Sequence, residues 1–179
     1  MKSPSESILA YIRAKDQNRP HWMRRAFTEA AALKMIVKTG AISFPPLSNG
    51  IDSITEVLIR RFAQSFENVF TFCLGDPPKD DARSFSCNWI VGMSEKESGA
   101  VRVGCGRYDW RFQPDEPFLV QELTITIEFM QILPPRNLDA IMDWLSGLPY
   151  PWCPFQTAVA SAPKVEGLEV ILDYVSQKN

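Results

Sequence analysis

Residues 101–112 read Val101-Arg102-Val103-Gly104-Cys105-Gly106-Arg107-Tyr108-Asp109-Trp110-Arg111-Phe112, and this stretch decides the fold. Its apolar residues recur with a period of two, the mark of a strand. Val101, Val103 and Cys105 share one parity, whereas Tyr108, Trp110 and Phe112 share the other. Burying both sets on one face requires a bulge near Gly104-Cys105-Gly106, where glycine tolerates it. Such a bulge bends the sheet, and an antiparallel sheet bent around helices makes a cone with a cavity. Segments 69–74, 85–93 and 118–133 carry the same period as 100–112. Gly75-Asp76-Pro77-Pro78, residues 94–99 and residues 114–117 supply the turns between them.

Upstream the period changes to that of a helix. Ser3 and Glu6 form a capping box with Pro4 at the first helical position, ahead of Ile8, Leu9, Tyr11 and Ile12. A short second helix starts near Pro20 and turns Trp22, Met23, Ala26 and Phe27 inward. Residues 31–37 and 41–44 read as short strands, the second stopped by Pro45-Pro46. Ser53 and Glu56 suggest another capping box, for a helix carrying Ile54, Val57, Leu58, Phe62 and Phe66 inward with Arg60, Arg61 and Gln64 opposite. A further helix over 137–146 ends at Gly147. Beyond it, Val165, Leu168, Ile171, Leu172 and Val175 line one face of a terminal helix.

The chain has 179 residues, 45% hydrophobic and 22% charged, ordinary for one globular domain. No apolar run reaches the roughly 20 residues of a membrane-spanning helix, and residues 1–6 lack the apolar core of a signal peptide. Lys and Arg number 19 against 21 Asp and Glu, a formal charge of -2. No basic excess supports nucleic-acid binding. Cys73, Cys87, Cys105 and Cys153 have no CxxC spacing, and His21 is the single histidine. We expect buried free thiols, a cytoplasmic setting, and neither metal nor cofactor.

Three phrases carry a family resemblance. They are Tyr11-Ile12-Arg13-Ala14-Lys15-Asp16, then Ile42-Ser43-Phe44-Pro45 ahead of Gly50-Ile51-Asp52-Ser53-Ile54, and Gly106-Arg107-Tyr108-Asp109-Trp110-Arg111-Phe112. In this order they resemble the nuclear-transport-factor-2-like superfamily, and within it the SnoaL-like branch of polyketide cyclases and ketosteroid isomerases. The resemblance covers roughly residues 5 to 133. It implies an α+β, cystatin-like cone: a curved antiparallel sheet packed on N-terminal helices, here with a C-terminal helical extension. We place the SnoaL-like domain at 1–147 and the extension at 148–179.

The resemblance puts Tyr11 where ketosteroid isomerases carry an oxyanion donor and Tyr108 near their second acid. It puts Phe44 where their general base stands, and a phenyl ring carries no proton. Asp109 lies one residue from the acid position of SnoaL-like proteins, with odd parity like Arg107 and Arg111. It serves in proton transfer if turned inward, and joins a surface charge row if not. His21 is the only side chain with an ordinary pKa near neutrality, and its place is either the cavity or a capping and surface position. Glu122 and Glu128 share the Thr124 and Thr126 face, away from the apolar Leu123, Ile125, Ile127 and Phe129. Trp22, Phe44, Trp89, Trp110 and Phe112 join the two tyrosines in an aromatic set suited either to a flat apolar ligand or to a filled core.

The leading function is binding of an apolar or polycyclic small molecule in that cavity. One alternative is a metal-independent cyclase, isomerase or dehydratase, with Tyr11 and Tyr108 as donors and Asp109 or His21 moving the proton. Another is a non-catalytic dimerisation domain. A homodimer is expected because Val120, Met130 and Ile132 lie opposite the Leu123–Phe129 face, leaving a second apolar sheet surface.

Overall fold

The computed structural model describes residues 2–177. Helix α1 (Pro4–Asp16) starts at the predicted capping box. The Ser3 N–H donates to Glu6 Oε2 at 2.9 Å, and the Glu6 N–H donates to Ser3 Oγ at 3.4 Å. A 3-10 turn (Pro20–Arg25) buries Met23 and feeds β1 (Phe27–Val37). The third helical rod joins α2 (Ile51–Thr55), a π segment (Glu56–Arg61) and α3 (Phe62–Ser65). It begins at Gly50 (φ 84°), so Ser53 and Glu56 fall inside the helix rather than at its cap. The wider π turn brings three consecutive residues, Val57, Leu58 and Ile59, to the buried side.

One seven-stranded sheet curves over these helices. Its order is β2-β1-β6-β5-β4-β3-β7, with β2 (Leu47–Asn49), β3 (Phe66–Leu74), β4 (Ser84–Glu95), β5 (Val101–Phe112), β6 (Val120–Leu133) and β7 (Trp152–Cys153). The four long strands β3 to β6 are antiparallel, while β1 runs parallel to β6 and β7 parallel to β3. Residues 41–44 are irregular, and the short strand falls at Leu47–Asn49 instead. The Pro45-Pro46 pair that was expected to stop a strand precedes one.

The bulge is real but sits on the neighbouring strand. Strand β5 alternates without interruption. Tyr108, Trp110 and Phe112 face the inner core, while Val101, Val103 and Cys105 belong to a second core on the outer face. Both sets are buried because each sheet face has its own cover. The pairing slips between Cys105/Phe129 and Gly106/Ile127, which makes Glu128 the extra residue of β6. A second slip leaves Gln121 unpaired. These two bulges reverse the parity of β6, so Val120 and Met130 share the inner core with Leu123, Ile125 and Ile127. Phe129 moves to the outer face, against Tyr174. The second apolar surface expected to carry a homodimer therefore loses Val120 and Met130, and Ile132, two residues on from Met130, shares the Met130 side of the strand and is exposed beyond the core.

Much of the outer face is covered by the chain itself. Helices α4 (Leu138–Ser146), α5 (Phe155–Ala160) and α6 (Glu169–Ser176) pack Ile141, Trp144, Leu145, Ile171 and Val175 against Phe72, Ile90, Val101, Val103, Cys105 and Leu133. The Trp144 indole N–H donates to the Ala158 carbonyl at 3.0 Å, tying α4 to α5. Gly92 lets α4 approach, since a Cβ there would collide with Leu145. The outer cover thus begins with α4, earlier than the expected boundary at 147.

Gly106 meets a harder constraint. A Cβ would overlap the Thr126 carbonyl oxygen, a backbone atom next to the bulge. Gly106→Ala is expected to cost about 1–3 kcal/mol or more as an overpacking substitution, a fall in Tm of roughly 2–12 °C or more. Gly40→Ala, at a site with no heavy atom within 4 Å, should leave Tm nearly unchanged. Thermal unfolding followed by circular dichroism reads both. Equal Tm values would show that Gly106 does not set the curvature.

Candidate functional site

The cone encloses a cavity of about 50 Å³. Met35, Val91, Met93, Ile125, Ile127 and Met130 wall it from the sheet, and Leu58 and Phe62 from the third helical rod. Ile42 and Phe44 close it from the irregular segment 38–46 and are only half-buried. Ligand pockets for drug-sized molecules occupy roughly 300–1,000 Å³. A polycyclic ligand therefore does not fit this closed conformation, and side chains at the mouth must move to admit one. Arg102 ties the irregular segment to the sheet. Its guanidinium donates to the Ala41 carbonyl and to Glu95 Oε1, the latter at 2.7 Å. Hydrogen bonds from Ser98 and Arg102 hold the Glu95 carboxyl below its ordinary range.

The polar end of the cavity is built by α1 and β3. Lys15 is buried and lines the cavity beside Tyr11, Thr71, Trp89 and Tyr108. Its ammonium donates to Asp16 Oδ1 at 2.9 Å and to Thr71 Oγ1 at 2.6 Å, and lies 5.1 Å from the Phe62 ring centre. Asp16 Oδ1 also accepts from the Thr71 hydroxyl at 2.8 Å. Its Oδ2 accepts from the Thr71 backbone N–H at 2.7 Å and from the Tyr150 hydroxyl at 2.9 Å. Four donors fill the roughly four acceptor positions of a carboxylate. Asp16 is thus a structural hub joining α1, β3 and the C-terminal segment, with no lone pair left to act as a base.

The two tyrosines meet as expected, with ring centres 6.2 Å apart. Their hydroxyls interact with each other. Burial pushes both phenols well above their ordinary range, and the interaction with Tyr108 partly offsets this for Tyr11. Neutral phenols serve as hydrogen-bond donors, not as bases. Next to them, a hydrogen bond to Cys87, followed by burial, raises the Cys73 thiol.

The remaining predicted residues separate. Phe44 and Trp89 line the cavity. Trp110 and Phe112 face inward but lie outside its lining, and Trp110 packs 5.6 Å from Tyr11. Asp109 faces outward, accepting from Ser86 Oγ at 2.6 Å and Arg107 Nε at 3.0 Å. Regular alternation of β5 leaves no irregularity to turn it inward, which corrects its assignment as a proton-transfer group. His21 is exposed beside a surface depression with Arg24 and Asp52, and cannot serve the cavity from there. Trp22 is half-buried between Arg19 and Arg25, each 5.5 Å from its ring, and is likewise remote from the cavity lining. Glu122 and Glu128 pair with Arg111 and Lys38.

Lys15, Asp16 and Thr71 were not singled out from the sequence. One signal was present: Ile8, Tyr11, Ile12 and Lys15 follow i, i+3, i+4, i+7 spacing, which puts Lys15 on the apolar stripe. Among the described residues, no group of three or more His, Cys, Asp or Glu is placed to hold a metal, and no helix is long and apolar enough to cross a membrane.

No family model and no curated protein matches this sequence. Solved structures do match. A nuclear transport factor 2-like superfamily protein from Salmonella enterica superposes with TM-score 0.55 at 15% identity, covering 70% of this chain and 88% of that one. A protein with a ketosteroid isomerase-like fold from Catenulispora acidiphila, in complex with trimethylamine, gives 0.52 at 14% identity, covering 67% and 83%. A hexachlorocyclohexane dehydrochlorinase (LinA) type 2 gives 0.55 at 7% identity, covering 72% and 84%. At such identities the likeness concerns the fold alone, which is nuclear-transport-factor-2-like.

Burial also governs the response to alkali. Tyr150 is raised by burial and by the Asp16 charge, and burial takes Tyr174 up to about 12, so all four tyrosines lie above their ordinary value of 10.0. Burial also takes Cys105 up to about 12. The unfolded chain therefore loses these protons first. Their contribution is complete below the ordinary values, 9.0 for thiols and 10.0 for phenols, and declines as pH rises past them. Ultraviolet titration should show the buried pair Tyr11 and Tyr108 forming phenolate only as the far-ultraviolet dichroism collapses. A phenolate step near pH 10 in a still-folded protein would contradict this burial.

Proposed function

We propose that this protein binds a small, largely apolar molecule in the cone, in the manner of the SnoaL-like branch that its sequence resembles. The supporting observation is the cavity itself: a wall of aliphatic and aromatic side chains with its polar groups gathered at one end. Entry follows displacement of Ile42, Phe44 and Phe62, the half-buried residues of the lining. The ketosteroid isomerase-like and LinA neighbours support a ligand-binding use of this fold.

A cyclase, isomerase or dehydratase activity is the second reading, favoured by one observation: a titratable group, Lys15, borders the cavity. Lys15, Tyr11 and Tyr108 would then donate to a developing oxyanion. Asp109 and His21 have no part in such a reaction, being outside. A cytoplasmic setting suits the four buried free thiols. Pairing of two copies would use the part of the outer face that carries Arg107, Asp109, Arg111 and Glu122. Such a charged interface would weaken with salt.

Ethylbenzene is a suitable first probe, read by calorimetry and by tryptophan fluorescence. Val91→Phe places a ring in the cavity and should lower its affinity at least about tenfold, the loss expected when apolar contact is replaced by protein. Binding of equal strength to both proteins would place the ligand elsewhere and overturn the proposal.

A further inference from the structure

The cavity is rich in donors. An ammonium has three N–H groups, and Lys15 gives two of them to Asp16 and Thr71. The third remains for an occupant of the cavity that Lys15 lines. Trp89, another part of that wall, is 3% exposed. Its indole Nε1 is buried without a hydrogen-bond partner. An unmet buried donor costs about 1–3 kcal/mol, and such an orphan in a native structure calls for an acceptor. Asp16, the carboxylate of the cluster, already accepts four bonds and has none left to offer.

The charge balance narrows the acceptor further. Lys15 is already matched by Asp16, with which it forms a buried ion pair at 2.9 Å. A carboxylate ligand would add an uncompensated negative charge to a desolvated, neutral pair. A neutral oxygen takes the same hydrogen bonds without that penalty. We infer that the ligand carries a neutral carbonyl-type oxygen, held by Lys15 and Trp89, and that the Lys15–Asp16–Thr71 cluster selects neutral molecules over their carboxylate analogues. This inference rests on the cavity reading above. It makes Lys15 and Trp89 specificity residues.

The test compares three probes of similar size: acetophenone, ethylbenzene and benzoate. Calorimetry should rank acetophenone above the other two by about tenfold, the worth of a hydrogen bond to a charged donor. In the ¹⁵N–¹H spectrum, acetophenone should move the Trp89 indole N–H signal downfield, and ethylbenzene should not. Trp89→Phe keeps the aromatic wall and removes the donor. It should lower the preference for acetophenone over ethylbenzene about threefold or more. Lys15→Met alone strands the Asp16 charge, so the double variant Lys15→Met/Asp16→Asn is the companion, expected to cut the preference for acetophenone over ethylbenzene to the roughly threefold that Trp89 alone supplies. If acetophenone and ethylbenzene bind equally, the polar anchor is wrong while the cavity reading stands. If benzoate binds tightest, the charge argument is overturned. If no probe binds, both the anchor and the cavity reading fail.

Discussion

The close approach of β5 and β6 at Gly106 is the constraint on which the rest depends. There the Thr126 carbonyl occupies the space a side chain would need, and β6 accommodates Glu128 as an extra residue. The slip reverses which β6 side chains point inward, so the strand serves the inner core at Ile125 and Ile127 and the outer core at Leu133. A regular β6 would put Met130 outside and Phe129 in the cone. Leu133 would then turn away from the outer cluster that α4 to α6 cover.

Asp16 transmits that architecture to the site. It ends α1, ties down Thr71 on β3, and receives the Tyr150 hydroxyl from the segment between α4 and α5 of the outer cover. The inner and outer layers of the molecule therefore meet at one buried carboxylate. Because the hub consumes its own lone pairs, it positions Lys15 without competing for a ligand. Breaking a buried pair of this kind costs about 3–5 kcal/mol through the charge left behind. Such a cost makes the Lys15–Asp16 pair a fixed feature of the cavity wall.

Much of this was legible in the residues. The capping box at Ser3, the long period-two strands and the inward run Tyr108, Trp110, Phe112 all read directly, because local sequence dictates each of them. The bulge was argued from the wrong residues: the two apolar sets of β5 lie on opposite covered faces and need none. Two glycines on β5 pointed to that strand, whereas the extra residue is Glu128 on its partner, and only pairing register distinguishes the two. The outer cover was legible as an amphipathic tail, but its target was not, since Val101, Val103 and Cys105 seemed to compete for the inner face. Asp109 and His21 drew attention as titratable side chains and proved to be outside. Lys15 hid in plain view, because a lysine on an apolar helical stripe is most often a stem that carries its charge out to water. Its burial depends on Asp16 and Thr71, partners 1 and 56 residues away.

Central to this account is an apolar void, bounded by Val91, Ile125 and Tyr108 and reached past Ile42 and Phe44. Xenon diffraction tests it most directly, because the gas seeks dry apolar cavities and makes no hydrogen bonds. A crystal pressurised with xenon should show an ordered xenon atom between Val91, Ile125 and Tyr108, with the Lys15–Asp16 pair undisturbed. A cone interior filled by side chains, with xenon bound only elsewhere, would contradict the account.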